Sequence, residues 1–272
     1  MSQTAYKKSS FGPAFLFLDK SRRQALAQYY AFCRLMDDIA DEPEITDKDK
    51  QLQFWSEEID RVFTQHATTD LGKELENMVR TFAISKDRFT LLIDGMRADV
   101  QAKTYHTLEE LEWYLWRVAG IVGQATLDIL GIKGPKADKL AHALGFAVQL
   151  TNIIRDVWED AQLGRVYIPQ QLLQKYHVTP QDILQHTGTV CLPAVLKQLA
   201  QLAQQYYEQA DQIMQTLPAR KMLPCRVMSL VYRQNLAKIE KAGFQFTQTI
   251  KLTKQEKIRA CFYALYKSII NC

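Results

Sequence analysis

The sequence lacks any run approaching the ~18–20 apolar residues that a membrane-spanning helix needs. It also lacks alternating apolar and polar stretches joined by turn dipeptides, which argues against a sheet. No CxxC pair is present. Five cysteines (Cys33, Cys191, Cys225, Cys261 and Cys272) are scattered, so a reduced, cytoplasmic protein fits better than a disulfide framework or a zinc site. A net charge of +4 without a dense Lys/Arg stripe speaks against nucleic acid as a partner. The absence of a Gly-rich dinucleotide fingerprint disfavours an obligatory NADPH step. Residues 1–10 are polar and do not read as a secretory signal. Repeats, low-complexity tracts and domain linkers are missing as well.

What is present is an ordinary globular balance, 47% hydrophobic and 24% charged, with enough apolar material for a large core. The punctuation is helical throughout. Residues 21–41 contain no Gly or Pro, and Pro43 stops the run. Helices are expected over 47–66, 70–83 and 86–101. Thr107 with Glu110 makes a capping-box pattern for a helix running to about 130. After the breaks at Gly131 and Gly134-Pro135, a helix is expected over 136–161. Gly164 and Pro169 bracket an irregular segment, and Thr179-Pro180 opens a short helix. Long helices should follow over 193–216, 224–248 and 254–270. One all-α domain over residues 1–272 is the expectation.

Two helix faces carry acids beside apolar residues. Arg34, Asp37, Asp38 and Asp41 fall within roughly a third of a helix circumference, next to Leu35 and Ile39. Like charges at this spacing repel, and the helix C-terminus disfavours anions, so a cation partner would relieve both penalties. Further along, Gln149, Asn152, Asp156 and Asp160 form one continuous polar stripe beside Leu150, Ile153 and Val157. Oxygen donors at this spacing suit hard divalent ions, and magnesium commonly bridges one or two carboxylates to substrate phosphates. Either face alone could be a plain solvated helix surface. An EF-hand is excluded, because the acids lie within helices.

These residues, taken with others, resemble the squalene/phytoene synthase family over roughly residues 8 to 260. The matching pieces are Ser9-Ser10-Phe11 with Phe15, the stretch from Tyr30 through Arg34 and Asp37-Asp38-Ile-Ala-Asp41, Tyr114-Leu-Trp-Arg117-Val-Ala-Gly120, and Gln149 through Pro169. The last piece, an NxxRDxxxD core followed by GRxYxP, is the most specific. The serine–serine–phenylalanine start and Tyr232-Arg233 look most like the bacterial presqualene diphosphate synthases of hopanoid pathways.

The resemblance implies an isoprenoid-synthase helical bundle with a central cavity between the two acidic helices. It implies Mg²⁺, with Mn²⁺ as the alternative ion, held by Asp37, Asp41, Asn152, Asp156 and Asp160. Arg34, Gln149, Asn152 and Arg155 would orient the diphosphates or the acids. Tyr114 would lie near the reacting carbons, and Tyr232 would serve diphosphate binding. Ser10, Phe11 and Phe15 would line the entrance, while Arg165 and Tyr167 would sit on a flap. The chain departs from the family at Lys7 and Lys8, and near the C-terminus, where a family arginine has no clear counterpart and Lys254 and Lys257 are the nearest candidates, with no role resting on either.

The reaction implied is head-to-head joining of two prenyl diphosphates, farnesyl or geranylgeranyl, without NADPH in the first step. Squalene, dehydrosqualene and phytoene are the alternative products. Chain elongation with isopentenyl diphosphate is a rival that normally carries DDxxD in its second motif. A non-catalytic prenyl-lipid-binding or assembly protein is the rival from another class. Phe146 and the small residues Ala141 and Gly145 could line a cavity or simply pack helices. Amphiphilic substrates fit peripheral contact with the inner face of a membrane.

Overall fold

A computed structural model describes residues 18–246 and 249–270, without the side chains of Cys261 and residues 264–270. Ser10, Phe11 and Phe15 therefore lie outside the described residues. The chain runs through α1 (Lys20–Asp41), α2 (Lys48–Thr64), α3 (Asp70–Phe82), α4 (Asp87–Val100) and α5 (Leu108–Leu115). A π-helical turn (Trp116–Gly120) leads into α6 (Ile121–Leu130), followed by α7 (Pro135–Arg155) and α8 (Val157–Gln162). Then come α9 (Gln170–Lys175), α10 (Pro180–Leu184), a 3₁₀ turn (Thr189–Cys191), α11 (Leu192–Gln215), α12 (Ala219–Lys241) and α13 (Lys254–Ile270). No strand occurs among the described residues, so the fold is all-α.

The local chemistry explains the boundaries. Asp19 caps α1 by accepting from the Arg22 N–H at 2.9 Å. The buried face of α1, Leu26, Tyr29, Phe32, Met36 and Ile39, repeats at helical spacing, and the run ends before Pro43. Gly131, at φ +70°, closes α6 in the left-handed region that favours glycine. α7 is the central element. It packs along α11 and also meets the π turn, α6 and α12. Leu140, Leu144, Ala147, Leu150 and Ile154 along it are buried, and a fully buried leucine stabilises a fold by about 1.5–3 kcal/mol.

Several expectations need correction. The helix expected from 107 to 130 is interrupted by the π turn, in which the Ile121 N–H reaches back to the Trp116 carbonyl. The turn brings the backbone of Ala119 and Gly120 against Gly145 of α7, where an added Cβ would stand 2.9 Å from backbone atoms. Only half of the Thr107 capping box forms: Thr107 accepts from the Glu110 N–H, but the Glu110 carboxylate takes the His106 N–H instead. The polar stripe from Gln149 to Asp160 is bent at Asp156 (φ −103°, ψ 14°), which separates α7 from α8. α12 begins at Ala219 rather than at Pro224, since a proline near a helix start forfeits one backbone bond without breaking the helix.

Candidate active site

The last turns of α1 carry the first acidic face. Arg34 lies 3.2 Å from Asp37 and 2.8 Å from Asp38, so the cation belongs to the same face as the acids. Asp41 is bound from elsewhere in the chain: Arg165 Nη1 donates to its Oδ1 at 2.6 Å. Arg165 also donates to the Ala40 carbonyl at 2.9 Å and to the Asp99 carbonyl at 3.0 Å. These carbonyls end α1 and α4, where the helix dipole favours a cation. A buried arginine thus fastens the segment after α8 to two helix ends.

The second face spans α7 and α8. Asn152 Nδ2 donates to Gln149 Oε1 at 3.1 Å, whereas Asn152 Oδ1 is buried without a partner. Arg155 grips Asp156 with two bonds, Nε to Oδ1 at 2.8 Å and Nη2 to Oδ2. Tyr232 of α12 is buried beside Arg155 and Asp156. Burial and then the nearby Asp156 and Asp99 carboxylates push Asp160 well above the usual carboxylate range, against the pull of Arg165. Burial and Asp41 push Asp37 up to about 6. Carboxyls of the two faces thus lie near enough to raise one another's affinity for a proton.

Beside Asp99 and Asp160 three tyrosines form an aromatic wall. The Tyr114 and Tyr167 rings stack at 4.9 Å, and both hydroxyls donate to Asp99, at 3.0 and 2.7 Å. Tyr105 lies against both rings, and its own buried hydroxyl has no partner. Such a wall is apolar in its faces and polar at one edge.

The residues fit a hard divalent cation. The donors are carboxylate and amide oxygens, and the orphaned Asn152 Oδ1 is a buried acceptor lacking a donor. No group of three or more acids, histidines or cysteines among the described residues closes on one point. Side chains of this kind would supply part of a magnesium shell, the remainder coming from substrate phosphates or water.

A family model described as squalene/phytoene synthase matches residues 5–256. The chain belongs to that family. It is 36% identical to the presqualene diphosphate synthase of Rhodopseudomonas palustris, over 92% of this chain and 90% of the relative. The presqualene diphosphate synthase of Sinorhizobium fredii is 35% identical, over 94% and 93%. Among solved structures, the squalene synthase HpnC of Alicyclobacillus acidocaldarius superposes with a TM-score of 0.82 at 28% identity, covering 90% of this chain and 92% of that one. A dehydrosqualene synthase in complex with ligand gives 0.82 at 25%, covering 96% and 92%. Like its family, the chain is a prenyltransferase.

The ends of the two motifs meet where Arg165 bonds Asp41 and where Asp160 lies near Asp156, Asp99 and Asp41. Asp99 and Tyr105 were not anticipated. A signal existed for Asp99: it shares a helix face with Leu92 and Met96, so an acid stands where an apolar residue would continue the buried stripe. Lys257 sits near Arg155, and burial, Arg155 and Lys251 hold it below the ordinary lysine value; Lys254 is exposed. Gly145 follows the packing alternative rather than a cavity role. Phe146 does too, buried against His142 and Tyr206. His142 is structural: burial among Trp116, Phe146 and Tyr206 holds its pKa below the ordinary value.

Proposed function

We propose that the protein joins two farnesyl diphosphates head to head into presqualene diphosphate, with Mg²⁺, in hopanoid or squalene formation. The observation that carries this reading is the Arg165–Asp41 bond at 2.6 Å, which brings the segment after the second acidic motif onto the first and sets Asp41 near Asp160. The identity to presqualene diphosphate synthases favours the C15 substrate.

Asp37 and Asp41 on one side, and Asn152, Asp156 and Asp160 on the other, would hold the metal. When bound, Mg²⁺ supplies Lewis-acid neutralisation of the diphosphate leaving group. Arg34, Arg155 and Tyr232 orient the diphosphates. The C1–O bond of one substrate breaks and pyrophosphate departs with the electron pair. The C2–C3 double bond of the second substrate attacks C1, and loss of a proton to the released pyrophosphate closes the cyclopropane. Tyr114, Tyr105 and Tyr167 exclude water and face the cation with their rings, at about 0.5–2 kcal/mol for each favourable contact.

No helix among the described residues is long and apolar enough to cross a membrane. Work at the inner membrane face by peripheral contact is supported by the amphiphilic substrates. The test is purified protein with magnesium and either farnesyl or geranylgeranyl diphosphate, with products read by mass spectrometry. Presqualene diphosphate from farnesyl diphosphate, absent with Asp156→Ala, is expected. Turnover only with added isopentenyl diphosphate would overturn the reading, as would phytoene from the C20 substrate alone.

A further inference from the structure

Asp99 is the buried acid that neither motif contains. Its side-chain oxygens accept from two neutral phenols, Tyr114 at 3.0 Å and Tyr167 at 2.7 Å, while Arg165 binds its backbone carbonyl. The residue is 6% exposed and sits next to the last residue of α4, where the helix dipole disfavours an anion. A buried carboxylate in such a place is costly unless its hydrogen bonds serve it well. Here both oxygens are acceptors, and both donors are phenols beside the acidic faces rather than backbone groups. An asparagine offers one acceptor oxygen and one donor NH₂, so it would reverse one of the two bonds.

The direction of those bonds has a chemical consequence. Each phenol has a single proton. Once that proton is committed to Asp99, the phenol oxygen offers only lone pairs to its other neighbours, and its ring becomes more electron-rich. Tyr114 and Tyr167 are stacked at 4.9 Å, so one carboxylate polarises a pair of rings together. Arg165 then ties the Asp99 backbone to Asp41, which holds the pair in register with the first acidic face.

Resting on the condensation reading above, we propose that Asp99 is a positioning residue that holds the Tyr114 and Tyr167 hydroxyl protons and turns two electron-rich phenols toward the developing carbocation. It touches no substrate itself and acts through the tyrosines. Its effect therefore belongs to the transition state, where positive charge develops, and not to the binding of the diphosphates.

The test compares the wild type with Asp99→Asn, Asp99→Glu, Tyr114→Phe, Tyr167→Phe and the doubles, with farnesyl diphosphate and magnesium. Thermal melts first establish that each variant folds. For Asp99→Asn, kcat should fall by roughly 10²-fold with KM nearly unchanged. Asp99→Glu, which keeps both acceptors, should recover part of the loss. The Tyr→Phe changes should cost far less in the Asp99→Asn background than alone. Independently of activity, the ¹³Cζ resonances of labelled Tyr114 and Tyr167 should shift in Asp99→Asn. Full kcat in Asp99→Asn, additive losses, or unmoved Cζ resonances would overturn this proposal alone. A wild type inactive on every prenyl diphosphate overturns the condensation reading, and this proposal with it.

Discussion

Arg165 Nη1 lies 2.6 Å from Asp41 Oδ1, so the segment after α8 is bound to the last acid of α1. Two further bonds, to the carbonyls of Ala40 and Asp99, make this one side chain a common fastening for α1, α4 and the flap.

Replacing Arg165 by alanine removes the cation from Asp41 and leaves the Ala40 carbonyl to Lys48 and the Asp99 carbonyl to the Ala102 N–H. The loss should be about 2–4 kcal/mol in urea unfolding, with Arg165→Lys intermediate because an ammonium cannot fork to the same partners. An Arg165→Ala variant as stable as the wild type would refute the fastening.

Asp99 makes stability depend on pH. Burial, opposed by Arg165 and by the Tyr167 and Tyr114 hydroxyls, pushes it up to about 7. A carboxyl whose folded value exceeds its unfolded one favours the fold when protonated. That contribution is lost as the pH rises from about 4 through about 7. In chelator, the melting temperature of the wild type should fall more steeply over that window than that of Asp99→Asn. Parallel profiles would count against it.

Glu58 has the opposite sign. Fully buried, it accepts from the Thr68 and Thr69 backbone N–H groups at 2.8 and 2.7 Å, from both threonine hydroxyls, and from Arg61 at 2.7 Å. Burial alone would raise it, but these donors hold it at about 2. Its stabilisation is complete above a pH of about 4.5 and disappears as the pH falls through about 2. Glu58→Gln should cost ~2–4 kcal/mol at neutral pH and flatten the acid limb of a stability–pH curve.

Gly145→Ala would press a methyl group to 2.9 Å from the backbone of Ala119 and Gly120. Backbone cannot swing aside as a side chain can, so a loss of about 1–3 kcal/mol in chemical unfolding is expected. Unchanged stability would show that α7 and the π turn approach less closely.

Most of this architecture can be read from the residues, because helix starts and stops depend on local chemistry. α1 and α13 fall within a residue of their expected bounds. The acidic faces were legible for the same reason, since spacing alone puts Arg34, Asp37, Asp38 and Asp41 together. Contacts between distant segments were not. Nothing near Arg165 in the sequence indicates that its partner is Asp41, 124 positions away. Asp99 and Tyr105 gain their meaning only when α4, α5 and the flap pack. The bend at Asp156 was hidden because the Asp160 N–H still bonds the Asp156 carbonyl at 2.8 Å, so the helical pattern continues across it.

The π turn also sets the rotational phase of α6. One extra residue in a helix carries all later residues about 100° further round the axis. Tyr114 precedes the turn and faces the aromatic wall, while Gln124 and Asp128 come after it and hold Arg88, at 2.6 and 3.0 Å. Deleting a single residue from 116–120 would restore a regular helix of ordinary composition. It would also leave those two functions facing the wrong neighbours, so the length of this stretch is as constrained as its chemistry.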